Sequence, residues 1–238
     1  MIASRKYGFI FIKTMKTAGT SIEMAIGPHC GPEDILSPIN PKFDRQRVEA
    51  GVYPRNYAPE PAVAAYVEAL KQRKPKVARE ALSRIRKKGN CASSHARAGS
   101  IKAVAGDLWD TAFKFTAERH PYEKAVSLAF HVNRHPSRRT REFDEALETV
   151  VRSGKRYVSY PWYIVEGRVI VDDFVKHETI QADMLRICTR VGLPPVELPR
   201  ARELDRDRKP AREMLTAEQR RIVQETCAPE FELFGWER

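Results

Sequence analysis

The run Tyr7-Gly8-Phe9-Ile10-Phe11-Ile12 passes without a break into Lys13-Thr14-Met15-Lys16-Thr17-Ala18-Gly19-Thr20-Ser21, and that junction narrows the possible folds most. A short, continuous apolar run rich in aromatic and β-branched residues reads as a central strand buried on both faces. A loop and a short helix from about Thr20 to Ile26 follow, ended by Gly27-Pro28. Strand, loop and helix in that order are the repeating unit of a parallel α/β sheet.

The rest of the chain continues the alternation. Proline-rich, poorly patterned 28–61 reads as a long ordered loop or lid. Val63, Tyr66, Val67 and Leu70 share one helical face; after Pro75, Val77, Ala81, Leu82 and Ile85 share another. Arg84, Arg86, Lys87 and Lys88 then match the negative end of that second helix, which favours a solvated helix end over an acceptor-binding patch. Cys91-Ala92-Ser93-Ser94 reads as a strand ending at His95, with a helix from about Ser100 to Ala105. Phe113, Phe115 and Ala117 alternate as a strand does, and Arg119-His120-Pro121 turns into a helix whose buried stripe is Tyr122, Val126, Ala129 and Phe130. Val169–Val175 is a further strand, Ile180 to Val191 a helix closed by Gly192, and Thr216-Ala217-Glu218-Gln219 a capping box opening the last helix. The predicted fold is a single α/β domain over 1–238: three layers, with a central parallel sheet flanked by helices.

At 238 residues the chain can bury a full core without staples. A net charge of +11 suits phosphorylated or polyanionic partners, and serves solubility equally well. Cys30, Cys91, Cys188 and Cys227 stand too far apart for a zinc or thiol redox motif, so no metal is expected. With no apolar run near ~18 residues, the expectation is a cytoplasmic protein with no integral membrane segment.

Two constellations carry chemistry. In the loop after the first strand, backbone N–H groups converge beside a helix N-terminus, where a phosphate is favoured. Gly19 permits close approach, Thr20 and Ser21 offer hydroxyls, and Lys16 brings a mobile charge; an ordinary turn capped by Thr20 is the competing reading. Lysine precedes the glycine, so this is not a Walker A loop. The second constellation puts Arg119 at the C-terminal end of a strand and Ser127 about two turns into the next helix, on the sheet edge where open α/β folds bind ligands.

Lys16-Thr17-Ala18-Gly19-Thr20-Ser21 resembles the 5′-phosphosulfate loop of sulfotransferases that use 3′-phosphoadenosine 5′-phosphosulfate (PAPS), in particular the carbohydrate-type branch. Arg119-His120-Pro121-Tyr122 through Ser127 resembles that family's 3′-phosphate motif, Arg-(Asn/Asp)-Pro-Tyr followed by serine. Phe174–Glu178 and Phe231–Trp236 are similar to its later segments, so the resemblance spans nearly the whole chain. Met15 departs from the pattern where many members carry proline; His120 departs where they carry Asn or Asp, a change expected to loosen the turn. The resemblance implies a P-loop-like sulfotransferase fold and PAPS as co-substrate. It places Lys16 on the sulfuryl group and 5′-phosphate, Thr17, Ala18, Gly19, Thr20 and Ser21 around that phosphate, and Arg119 and Ser127 on the 3′-phosphate. Lys13 reads as a surface lysine at the loop entry.

Transfer to an alcohol needs a base, and histidine has an ordinary pKa near working pH. His95, at a strand end that resembles the family's base position, is the candidate, with His131 in reserve. Trp162 and Tyr163 read as core packing or as an acceptor platform. Two rival functions are a small-molecule kinase, whose only tempting metal-holding pair is Asp172-Asp173, and a basic nucleic-acid-binding protein. The latter lacks a finger, an aromatic-rich motif or a basic groove helix, so no nucleic-acid partner is expected. The expected partner is a carbohydrate or other small acceptor, in a pocket shaped by 28–61 and 155–167.

Overall fold

The computed structural model describes residues 1–86, 95–133, 142–154, 156–199 and 209–238. The strand expected at 91–94, part of the 84–88 basic cluster, and Cys91 lie outside them. In chain order the elements are β1 (Ile2–Ser4), β2 (Phe9–Ile12), α1 (Gly19–Ile26), β3 (Ile35–Leu36), α2 (Pro41–Glu49), α3 (Glu60–Lys71), α4 (Pro75–Arg86), α5 (Ala98–Ala105), α6 (Leu108–Thr111), β4 (Phe113–Glu118), α7 (Pro121–Asn133), α8 (Phe143–Ser153), β5 (Ile164–Val165), β6 (Arg168–Val169), β7 (Asp173–Lys176), α9 (Ile180–Val191), α10 (Ala211–Met214), α11 (Ala217–Thr226) and α12 (Ala228–Phe234).

The main sheet runs β3-β1-β2-β4-β7. The expected strand at 7–12 is its middle member, and β2, β4 and β7 are parallel. β1 is the departure from an all-parallel sheet: it forms an antiparallel hairpin with β2, Ser4 opposite Phe9. Alternation along the strands divides the core. Ala3, Ile10 and Ile12 pack with α3, α4, α5 and α6, whereas Ile2, Phe9, Phe11, Phe115 and Ala117 pack with Ile22 and Ile26 of α1 and Met184 and Ile187 of α9. The sheet is thus buried on both faces, and this is why β2 tolerates no polar residue. A third cluster joins α7 to α8, α11 and α12.

Segment 28–61 is not the loop or lid that its prolines suggest; it holds β3 and α2. Asn40 caps α2, accepting from the N–H groups of Lys42 (3.0 Å) and Phe43 (3.2 Å), with Pro41 at the first helical position. The helix escapes an apolar-stripe reading because two of its four buried residues are charged. Asp44 and Arg47 pair at 3.2 Å, and Asp44 also accepts from the Tyr66 hydroxyl at 2.8 Å. The capping box at Thr216 and Gln219 forms as expected, but the last helix is broken at Cys227 into α11 and α12. The strand expected at 169–175 is two pieces, β6 and β7.

Candidate active site

Both phosphate-type segments leave the sheet at the same edge. β2 and β4 are parallel, with Ile12 opposite Thr116, so the chain enters 13–20 and 119–121 from adjacent strand ends. Two side chains tie those ends together. The Thr14 hydroxyl donates to the Ala117 carbonyl, and the Thr116 hydroxyl to the Ile12 carbonyl at 2.7 Å. The segments that carry Lys16 and Arg119 therefore leave adjacent strands at the same, C-terminal, edge of the sheet.

The loop holds two left-handed residues that are not glycine, Lys16 and Ala18, each at φ 63°. Left-handed backbone costs an L-residue roughly 1–2 kcal/mol, and alternation of this kind is what turns successive N–H groups into an anion-binding concavity. Ala18 is the N-cap of α1 and lends no side-chain cap, so the helix N-terminus is left to whatever the loop binds; Thr20 is inside the helix and does not cap it. Thr17 is buried and its hydroxyl is bonded to the Thr14 hydroxyl at 2.9 Å, which leaves its backbone N–H as its contribution to a phosphate. Thr20 keeps its hydroxyl hydrogen, because its oxygen accepts from Lys13 Nζ at 3.1 Å. Lys16, Ala18, Thr20 and Ser21 are half-buried at the loop surface.

Lys13 is not the surface residue its position suggested. It is buried, with Nζ 2.6 Å from Glu23 Oε2, and the Met1 ammonium lies 2.6 Å from Glu23 Oε1. Burial alone would raise the Glu23 carboxyl, but Lys13 and the Met1 ammonium outweigh it and hold it at about 2. The Lys13 stem runs directly under Gly19: a Cβ there would lie 2.7 Å from Lys13 Cγ. Gly19 is therefore a close-approach glycine, required by a neighbouring side chain.

Arg119 is almost fully buried and donates from Nη2 to Glu123 Oε2 at 2.7 Å, one turn into α7. Ser127 is buried in the second turn of the same helix. His120 does not loosen the turn. Its Nδ1 accepts from the Tyr122 N–H at 3.3 Å, the bond an Asn or Asp would make at this N-cap. Its Nε2 faces the Glu237 carbonyl at 3.2 Å, and a carbonyl only accepts, so Nε2 carries the hydrogen and Nδ1 is free to cap. The ring packs against Tyr122, Phe231 and Trp236, and burial holds its pKa below the ordinary histidine value.

Sequence reasoning missed the anchor beneath this motif. Lys124 is fully buried, 2.9 Å from Glu118 Oε2 and 3.0 Å from Ser159 Oγ, with Glu230 at 3.8 Å. Glu230 Oε1 in turn accepts from the N–H groups of Ser159 (2.8 Å) and Tyr160 (3.1 Å). The signal was charged residues at 118 and 124 on otherwise buried faces.

His95 lies over the loop entrance, its Nδ1 3.3 Å from the Lys13 carbonyl. That partner assigns the hydrogen to Nδ1 and leaves Nε2 as the basic nitrogen. The expectation of an ordinary pKa fails: burial first, then the Lys13 ammonium, pull His95 down to about 3. His131 sits exposed in the last turn of α7, ~15 Å along the helix from Pro121 at 1.5 Å per residue, and His135 lies outside the described residues. Trp162 donates from Nε1 to the His95 carbonyl at 3.1 Å, while Tyr163 is fully buried and is core. Asp172 and Asp173 fall at the other end of the sheet: Asp172 accepts from the Lys114 N–H near the start of β4, and Asp173 opens β7 and pairs with Arg186. Neither carboxylate is near the loop, which removes the metal-holding pair that a kinase reading required. An open groove of about 610 Å³ beside Tyr53–Arg55 and α3 holds none of these residues.

No protein-family model matches the chain, and no curated protein matches its sequence. Among solved structures, a crystal structure of a sulfotransferase from Alicyclobacillus acidocaldarius is similar at 19% identity, covering 96% of each chain, with a TM-score of 0.38. That superposition is too loose for any residue to be assigned through it, so the site stands on its own geometry.

Proposed function

We propose that this protein is a PAPS-dependent sulfotransferase, moving a sulfuryl group from PAPS to a hydroxyl or amine of a carbohydrate or other small acceptor. The observation that supports this most is the union of two anion-suited segments at one sheet edge, tied by the Thr14–Ala117 and Thr116–Ile12 bonds. One segment is a left-handed loop opening a helix, suited to a 5′-phosphosulfate through the N–H groups of 17–21 and the Thr20 and Ser21 hydroxyls. The other carries Arg119 and Ser127, suited to a second phosphate on the same nucleotide.

In this reading the acceptor oxygen attacks sulfur in line. Its bond to sulfur forms as the bond from sulfur to the bridging phosphate oxygen breaks, leaving adenosine 3′,5′-bisphosphate (PAP) and a sulfate ester. Lys16 meets the charge that grows on the departing oxygen. His95 Nε2 takes the acceptor's proton. A histidine held at about 3 is already unprotonated at neutral pH, and the negative charge of a bound phosphosulfate shifts it upward, toward the strength a base needs.

The test begins with thermal unfolding in the presence of PAP, ATP or NADPH, where PAP alone should give a saturable rise. Labelled PAPS with a panel of sugars and phenols then finds an acceptor. His95→Ala should lower turnover by about 10²–10⁴ with PAP affinity intact, and Lys16→Ala should lower turnover and weaken PAPS binding. A protein stabilised by ATP but not by PAP, or a His95→Ala enzyme with full turnover, would sink the reading.

A further inference from the structure

Arg97 is exposed and stands two residues after His95. Its guanidinium lies over the Trp162 ring, 5.4 Å from the centroid, and the same ring donates from Nε1 to the His95 carbonyl at 3.1 Å. One aromatic side chain therefore fixes both the backbone of the candidate base and the position of a cation beside it. Stacking orients a guanidinium without consuming its in-plane N–H donors, which remain available to a carboxylate or sulfate.

Two further facts argue against a merely structural arginine. Among the described residues no carboxylate forms an ion pair with Arg97. It also occupies the N-cap of α5 without any side-chain cap bond. A cation is unfavourable at that end of a helix, where the macrodipole is already positive, and Arg is not a capping residue. Helix stability therefore gives no reason for an arginine here. A negative ligand does.

We propose that the acceptor is an acid, a hydroxylated or aminated molecule whose carboxylate or sulfate is held by Arg97 while its nucleophilic group faces His95. This rests on the reading of His95 as the base. The acid could belong to a sugar or to a phenol, and the two sources are separable with matched probes. Methyl glucuronoside is compared with its amide, and 4-hydroxyphenylacetate with its amide. Each is titrated calorimetrically into wild type and Arg97→Gln, with and without saturating PAP.

In at least one pair the acid should bind wild type roughly 10- to 150-fold more tightly than its amide, as expected for a charge-assisted contact. Arg97→Gln should erase that preference while leaving the amide's affinity and PAP affinity unchanged. Acid and amide of equal affinity in both pairs, including no detectable binding of any probe, would overturn the proposal. So would a preference that survives in Arg97→Gln, or a loss of PAP affinity in that variant, which would assign Arg97 to the nucleotide. Wild type that fails to bind PAP would instead strike the sulfotransferase reading, a result that the PAP titration reports by itself.

Discussion

Replacing Gly19 with alanine adds one methyl group against Lys13, a buried lysine held at its far end by two partners. The new Cβ would lie 2.7 Å from Lys13 Cγ, 3.2 Å from Cε and 3.3 Å from Cδ. The stem cannot swing aside freely, because Nζ is held by Glu23 at 2.6 Å and Thr20 at 3.1 Å. If the helix shifts and the pair survives, the cost is that of overpacking, about 1–3 kcal/mol. If Lys13 is expelled, Glu23 loses a buried partner, a change that costs about 3–5 kcal/mol in full, here softened by the Met1 ammonium that remains. Alanine returns roughly 0.5–1 kcal/mol as a better helix residue. The net expectation is a loss of about 0–2.5 kcal/mol if the pair survives and up to about 4 kcal/mol if Lys13 is expelled, and for a chain of this size each kcal/mol lowers Tm by about 2–4 °C. Urea unfolding at pH 7, followed by circular dichroism, measures it. The decisive comparison is a double-mutant cycle with Lys13→Ala, which deletes Cγ and everything beyond it. In that background Gly19→Ala should be neutral or stabilising. An equal loss in both backgrounds would refute the account of Gly19 as a close-approach residue.

Arg119→Ala should weaken PAP binding roughly 10- to 150-fold while leaving adenosine 5′-phosphosulfate, which has no 3′-phosphate, nearly unaffected; equal losses in calorimetry would assign Arg119 to folding instead. His120→Asn should preserve the Tyr122 N–H cap, whereas His120→Ala should cost about 1 kcal/mol, read as a lower urea midpoint; a neutral alanine variant would dismiss the cap. Stability should fall on acidification in two overlapping stages. His95 and His120 have folded pKa values below the ordinary 6.5, so the unfolded chain binds more protons and stability declines as pH drops from about 6.5 toward 3. Glu23, depressed from 4.5 to about 2, adds a loss as pH falls through that lower range. Urea midpoints from pH 8 down to about 2.5 check this, and His95→Gln should flatten the upper stage. With His95 neutral throughout, the free enzyme's rate profile should also show no acidic limb from this residue between pH 5 and 8.

Local pattern carried much of the fold. A strand buried on both faces has no room for polar residues, so Phe9–Ile12 announces itself as the middle of a sheet. Pro121 at the start of α7, Gly192 after α9 and the Thr216–Gln219 box mark helix ends because each solves a backbone problem within a few residues of itself. The candidate loop was legible for the same reason: lysine, glycine and hydroxyls in one short strand-to-helix turn form a local chemical unit, as Arg119 does at the end of β4. α2 was not legible, because its buried face is half charged and makes sense only once Tyr66 and Arg47 meet Asp44.

Everything that depends on long-range approach was decided by the tertiary structure. Lys13 became a buried strut because α1 folds back to bring Glu23 against it. His120 does the work of an asparagine because the chain's end reaches it: the Glu237 carbonyl takes the hydrogen from Nε2 and frees Nδ1 to cap. His95 was legible as a candidate base, but its protonation was not, since a pKa is set by the water removed and the charges brought near. Residue order fixes which groups a chain owns and what each can do with its immediate neighbours. Dielectric, charge pairing and the direction of a lone pair arise only when segments far apart in sequence exclude water from one another.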